Sequence, residues 1–259
     1  MYKRQVLIIL GMFFISQAVY ADALTGGVST VGLGNKVVDS STQSPVAGAT
    51  VSLPQKNYST KTDSNGNFSL NGDLKGDTVM SVEKEGYRPF SLTINDQIAA
   101  KPMIVGIQKS NVTDLMLENA MIHLGDDNFS KDSANAGEFQ LKAVGPFYTK
   151  AFKLAASTLS RTNYIVIGSI IGIDTALARS MKQNKVRNSF ASPPEVYFNG
   201  RKIAEIQLNG DNQKIKIPNS LILADQLNEI TIKTGRNLMQ SAYVDYDDIE
   251  IMNISIQSE

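Results

Sequence analysis

Apolar residues recur at every second position along most of this chain, and turn residues cut the alternation into short pieces, a pattern that leaves little choice but stacked β-sheets. Ala49, Val51 and Leu53 alternate with Thr50 and Ser52 until Pro54 ends the run. Leu92 with Ile94, Val196 with Phe198, Ile215 with Ile217, Ile230 with Ile232 and Ile249 with Ile251 repeat the theme. The Asn-Gly pairs at Asn65, Asn199 and Asn209 supply residues that tolerate positive φ and read as tight hairpins. Sustained helical periodicity is almost absent, so the fold class is all-β.

Departures from the alternation are informative. Tyr164 to Ile173 is continuously apolar, rich in β-branched residues and broken by Gly168 and Gly172. It falls short of the roughly 20 residues that a membrane span requires and reads as a strand pair buried on both faces. Phe139 to Val144 and Ala151 to Leu154 read as further strands. Residues 175–192 read as an exposed excursion: Ala176, Leu177, Ala178 and Met181 suit a helical turn, and Lys182, Lys185 and Arg187 form a solvated basic run. In the last strand Met252, Ile254 and Ile256 fall one step out of phase with Ile249 and Ile251, which calls for a bulge near Met252 or burial of both faces.

The first residues have a different character. Lys3 and Arg4 precede the apolar run Val6 to Ile15, and small residues lead up to Ala21, which is the make-up of a secretory signal peptide over residues 1–21. The expected destination is secreted or periplasmic. Roughly 240 residues then remain, enough for two domains at about 100–200 residues each. Ala99 to Asn111 interrupts the alternation, and the boundary is expected near Ser110.

Composition removes several chemistries. The chain has no cysteine, which excludes thiolate metal sites, disulfides, cysteine nucleophiles and a lipidated cysteine. Its 25 basic and 25 acidic residues balance, so no net field favours nucleic acid or an anionic membrane. His123 is the single histidine, too few for a zinc site of two or three imidazoles. No Gly-x-Ser-x-Gly elbow is present, and His123, set between Ile122 and Leu124, reads as structural.

Two stretches carry family resemblances. Val37, Val38 and Asp39, then Ser44 to Val51, then Thr62 to Phe68 and later Lys84, Glu85, Gly86 and Tyr87 occur in an order that resembles the carboxypeptidase regulatory-like domain, over about residues 33–109. The resemblance implies a seven-stranded, transthyretin-like β-sandwich grouped with starch-binding-like folds. It brings no enzymatic activity, because the peptidase's metal ligands are not here. Residues 112–258 are similar to a galactose-binding-like jelly roll of the kind used as carbohydrate-binding modules. The matching pieces are Leu124 to Phe129, Tyr197 to Gly200, Leu227 to Ile230 and Asp247 to Ile251. Such modules often hold a structural calcium between an early loop and the last strand. That resemblance implies Asp126, Asp127, Asp247 and Glu250 as oxygen ligands. The alternative is that Asp245, Asp247 and Asp248 form a polar lead-in to the strand.

The expected function is that of an exported, non-catalytic carbohydrate-binding protein of the bacterial envelope, with a glycan or polysaccharide partner. Sugar rings pack on aromatic faces, and with no tryptophan in the chain the candidate platforms are Tyr148, Tyr197, Tyr243 and Tyr246, with Tyr164 beside them. A structural or adhesive protein-interaction module is the alternative. A glycoside-active enzyme built on carboxylates such as Asp127 and Glu250 is a third possibility.

Overall fold

The computed structural model describes residues 34–71, 74, 76–129, 139–184 and 190–259; the proposed leader lies outside them. The described residues form one compact unit. Its first seven strands are β1 (Asn35–Asp39), β2 (Thr50–Leu53), β3 (Tyr58–Lys61), β4 (Asn67–Phe68), β5 (Thr78–Glu83), β6 (Phe90–Ile94) and β7 (Ile104–Ile107). They make a sandwich of a three-stranded outer sheet, β4-β1-β7, over a four-stranded inner sheet, β3-β2-β5-β6. The β1–β7 pair is parallel. Val37, Val105 and Ile107 from one sheet meet Val51, Leu53, Met80, Val82 and Ile94 from the other in a dry core.

The second half contains β8 (Leu115–Glu118), β9 (Ile122–Leu124), β10 (Phe147–Lys153), β11 (Asn163–Ile171), β12 (Glu195–Phe198), β13 (Arg201–Glu205), β14 (Gly210–Ile217), β15 (Leu227–Lys233) and β16 (Ile249–Ser258). The short strands β8 and β9 pair in turn along β16 and act as one interrupted strand. Counted that way, eight strands form two antiparallel sheets, β14-β11-β16-β8 with β9 beside β16, and β10-β15-β12-β13. This crossed order, in which the first strand lies beside the last, is that of a jelly roll. Ile165, Ile167, Ile170, Ile254 and Ile256 of one sheet face Phe152, Val196, Phe198, Ile230 and Ile232 of the other.

The inner sheets of the two sandwiches pack against each other, so β16 is buried along its whole length and its second face is polar. Gln55 bridges the layers: its Nε2 donates to Glu250 Oε2 at 2.7 Å and its Oε1 accepts from the Val79 amide at 2.8 Å. Asn253 donates to Ser81 Oγ, and Asp211 accepts from the Thr93 amide, the Thr93 hydroxyl and Ser169. A small apolar cluster of Val79, Met121, Phe139, Ile171 and Met252 completes the contact. At one end Arg88 clamps Asp114 through Nε and Nη2 at 2.7 and 3.2 Å, with both side chains 9% exposed.

Several local expectations are corrected. Tyr164 to Ile173 supplies one continuous strand, β11, rather than a pair. Of the turns expected at Asn65, Asn199 and Asn209, only Asn199-Gly200 joins neighbouring strands of one sheet, β12 and β13. Asn65-Gly66 carries the chain from the inner to the outer sheet of the first sandwich, and Asn209-Gly210 carries it from β13 across to β14. Turn chemistry specifies the local backbone; which sheet receives the next strand is set by packing. Phe139 to Val144 forms no strand, because Phe139 is drawn into the interface cluster and the Leu141 carbonyl turns toward His123. The excursion after Thr175 is a short helix, Ala176–Ser180, capped by the Thr175 hydroxyl and anchored by buried Ala178; Lys185 and Arg187 lie outside the described residues.

Of the two explanations of the parity slip, burial of both faces holds, whereas the pairing of β16 with β11 runs through Met252 in constant register with no one-residue bulge. Ile167 pairs with Gln213 and Ile254, and Ser169 pairs with Asp211 and Met252, which sets Gly168 between Asn212 and Asn253. Those two asparagines have left-handed φ of 51° and 58°. The inward positions shift together at this line, from Ile165 and Ile167 to Ile170 in β11 and from Ile249 and Ile251 to Ile254 and Ile256 in β16. Pairing survives because neighbouring strands kink at the same place.

Candidate functional site

The inner jelly-roll sheet is covered by the first sandwich, which leaves the outer face of β10-β15-β12-β13 as the open sheet surface of the second half. Strand alternation sends Tyr148, Phe152, Ile230, Ile232, Val196 and Phe198 inward and their neighbours outward. Register then builds two outward rows. Phe147, Lys233 and Glu195 lie abreast, and next to them Thr149, Thr231, Tyr197 and Lys202. The Thr149 and Thr231 hydroxyls are 3.0 Å apart. Tyr197 Oη donates to Glu195 Oε2 at 2.7 Å, and Lys202 Nζ donates to Glu195 and Glu205 at 3.1 and 2.9 Å. The Lys233 ammonium lies 5.9 Å from the centre of the half-exposed Phe147 ring. The bond from Tyr197, and then Lys202, holds the Glu195 carboxyl below its usual range, so it is ionised and an acceptor at neutral pH. Two aromatic faces, two hydroxyls and fixed donors and acceptors can engage a polar ring lying flat on the sheet.

The tyrosines expected as platforms are scattered. Tyr197 is on the open face. Tyr148 is corrected: it is 8% exposed, packed in the jelly-roll core with no hydrogen-bond partner for its hydroxyl, and burial pushes its ionisation far up. Tyr243 and Tyr246 lie in the segment before β16, where Tyr243 Oη accepts from Asn128 at 3.4 Å and the Tyr246 amide donates to Asp126 at 3.0 Å. Tyr164 stands on β11 beneath the Lys214 ammonium. Phe147, Thr149, Thr231 and Lys233 were not among the expected site residues. Their outward alternation is visible in sequence, but their adjacency to Tyr197 exists only once β15 is placed between β10 and β12.

His123 occupies a separate, buried network. Its Nδ1 lies 2.8 Å from the Leu141 carbonyl and its Nε2 lies 2.8 Å from Asp248 Oδ1, and the Phe139 ring packs against it at 4.8 Å. Both polar partners present acceptor oxygens, an arrangement that favours a proton on each nitrogen. Burial alone would depress its pKa, but the bond to Asp248 and the charges of Asp248 and Glu250 outweigh that and raise it. In the doubly protonated form neither nitrogen has a lone pair with which to act as a base. Glu250 Oε1 is 3.8 Å from Nδ1, and loss of water pushes the Glu250 carboxyl up to about 7 against the opposing pull of His123 and Gln55.

The four carboxylates expected to hold calcium do not meet at one point. Asp126 accepts from the Asn128 and Tyr246 amides, and Asp127 from the Ala143 amide. Glu250 is engaged by Gln55 and faces His123. Asp247 accepts from the Asp174 amide, and its carboxyl is held well above the usual range by loss of water and by the charges of Asp174, Asp248 and Asp245. Among the described residues, the one convergence of three possible ligand atoms is His123, Asp127 and Asp248, within 4.8 Å of one another. There Asp248 Oδ1 already accepts from His123 and from the Asp127 amide. Calcium requires six to eight oxygens, so the expected quartet does not fit one ion as a set.

Residues 34–116 match the family model of the CarboxypepD_reg-like domain, the region that builds the first sandwich and enters β8. No curated protein matches the chain. Among the described residues no helix is long and apolar enough to cross a membrane.

Proposed function

We propose that this chain is an exported, non-catalytic carbohydrate-binding protein whose sugar site is the open face of β10-β15-β12-β13. The observation that carries the proposal is the outward pair of rows in which Phe147 and Tyr197 flank the Thr149 and Thr231 hydroxyls, with Glu195, Lys202 and Lys233 around them. Flat apolar faces beside donors and acceptors suit pyranose rings, and the mixed charges favour no strongly ionic ligand. The lone imidazole is spent on Leu141 and Asp248, in keeping with binding without turnover. Export rests on the leader-like residues 1–21, and amino-terminal sequencing of secreted material is expected to begin at Asp22.

Glycan-array and polysaccharide pull-down assays test the reading. Binding is expected to fall by on the order of tenfold or more in Tyr197→Ala and Phe147→Ala, since each removes a stacking surface. Absence of binding across plant, host and bacterial glycans would sink it. A protein-interaction role is favoured by one other observation: Leu238, Met239, Tyr243 and Val244 are all more than half exposed in the segment ahead of β16. Retention of a protein partner, with no glycan bound, would favour that second reading.

A further inference from the structure

Between the two sandwiches, beside the kink, lies a cleft of about 260 Å³. Its floor is Ser91 from β6, Val166 and Gly168 from β11, and Asn253, Ser255 and Gln257 from β16. Exposed Ser40, Gln108, Asn212 and Lys214 form the rim, above floor residues that are themselves buried.

The chemistry of that floor is unusual for a packed interface. Ser91 is 4% exposed and Asn253 1%, yet Ser91 Oγ and Asn253 Oδ1 have no hydrogen-bond partner. A buried polar atom left without a partner costs about 1–3 kcal/mol, so such atoms mark places where something outside the chain completes the bonding. Ser255 and Gln257 bond to each other and keep further donor and acceptor capacity. Gly168 lets β11 pass close beneath these two groups: a methyl group there would come within 2.4 Å of Ser91 Oγ and 2.7 Å of Asn253 Cβ.

We infer that this cleft is a second binding site, separate from the open sheet face, which takes one neutral polyhydroxylated unit the size of a single sugar ring. Neutrality follows from the charges around it. Arg88 is committed to Asp114 and Gln108, and Lys214 to Glu259, so no uncompensated charge selects an ion. Hydroxyl and amide groups that both donate and accept match sugar hydroxyls, and Val166 and Pro89 give the ring's C–H face an apolar wall. The volume lies just below the range of about 300–1,000 Å³ usual for small-molecule clefts, which limits the occupant to one ring.

The test is titration of the leaderless protein with glucose, galactose and mannose, followed by amide chemical shifts. Saturable movement of Ser91, Asn253 and Ser255 is expected with at least one sugar, and it should persist in a Phe147→Ala, Tyr197→Ala double variant. Ser91→Val, which a strand accommodates, is expected to weaken the effect on the order of tenfold. Gln257→Leu serves as the second probe should Ser91→Val fail to fold. No saturable movement at the cleft, or undiminished movement in the folded variants, overturns the inference. Movement confined to Tyr197 and Phe147 overturns it while sparing the open-face reading. Movement confined to the cleft does the reverse.

Discussion

Glu250 and His123 both hold their protons more tightly in the folded protein than in the unfolded chain. For Glu250 the folded value is about 7 against an ordinary 4.5, so the proton-linked stability is fully present below pH 4.5 and is lost as pH rises through 7. Over that window the loss is about 3 kcal/mol. His123 acts in the same direction, its contribution complete below 6.5 and fading above its raised value. Thermal melts from pH 5 to 8 are therefore expected to show falling midpoints, and Glu250→Gln, which keeps a neutral side chain for Gln55, should flatten the decline. A midpoint that rises over this range would contradict the pairing. Asp247 tells a related story among like charges. Asp247→Asn is expected to raise the midpoint at pH 8, because the amide removes a carboxylate crowded by Asp174, Asp245 and Asp248. A cation seated in that cluster would reverse the sign, and calcium addition before and after the substitution would reveal it. None of this was legible in the sequence. His123 and Asp248 are 125 positions apart, and spacing alone could not tell that Asp248 rather than Asp247 points at the imidazole.

Individual strands were the most legible level. Alternation placed Val51 and Leu53, Val196 and Phe198, and Ile230 and Ile232 on inward faces, where the structure has them. The slip in the final strand was also readable. Its cause was not, since the kink at Asn253 is matched by Gly168 on the neighbouring strand and Asn212 beyond it. In the sequence Gly168 reads as a break between two strands, whereas it is the position where β11 continues past Ser91 and Asn253 at a distance that no side chain permits. Gly168→Ala is expected to cost about 1–3 kcal/mol through overpacking, measured by urea unfolding. A change of under half that amount would mean the neighbours yield easily. For the open face, period two showed which residues point outward and register alone made them neighbours.

At the scale of the molecule, the two sandwiches share a buried layer that is largely polar. Gln55 satisfies Glu250 and the Val79 amide at once, so its loss leaves two buried groups without partners. Gln55→Ala is expected to destabilise by about 1–3 kcal/mol, and calorimetry should show both sandwiches melting in a single transition before and after the change. Two separate transitions in the unsubstituted protein would show that the layer does not couple them. The regulatory-like first half and the jelly-roll second half could both be read from motifs, but their back-to-back packing could not, because no local pattern distinguishes a polar face that meets water from one that meets another sheet.

The aligned Gly168, Asn212 and Asn253 also act as a key in a lock during assembly. Were β16 to slide by one residue, Met252 or Ile254 would arrive opposite the glycine, and neither tolerates the left-handed backbone that Asn253 adopts there. The strand that closes the jelly roll is thereby barred from the adjacent misregistered seats, which would otherwise turn its isoleucines outward.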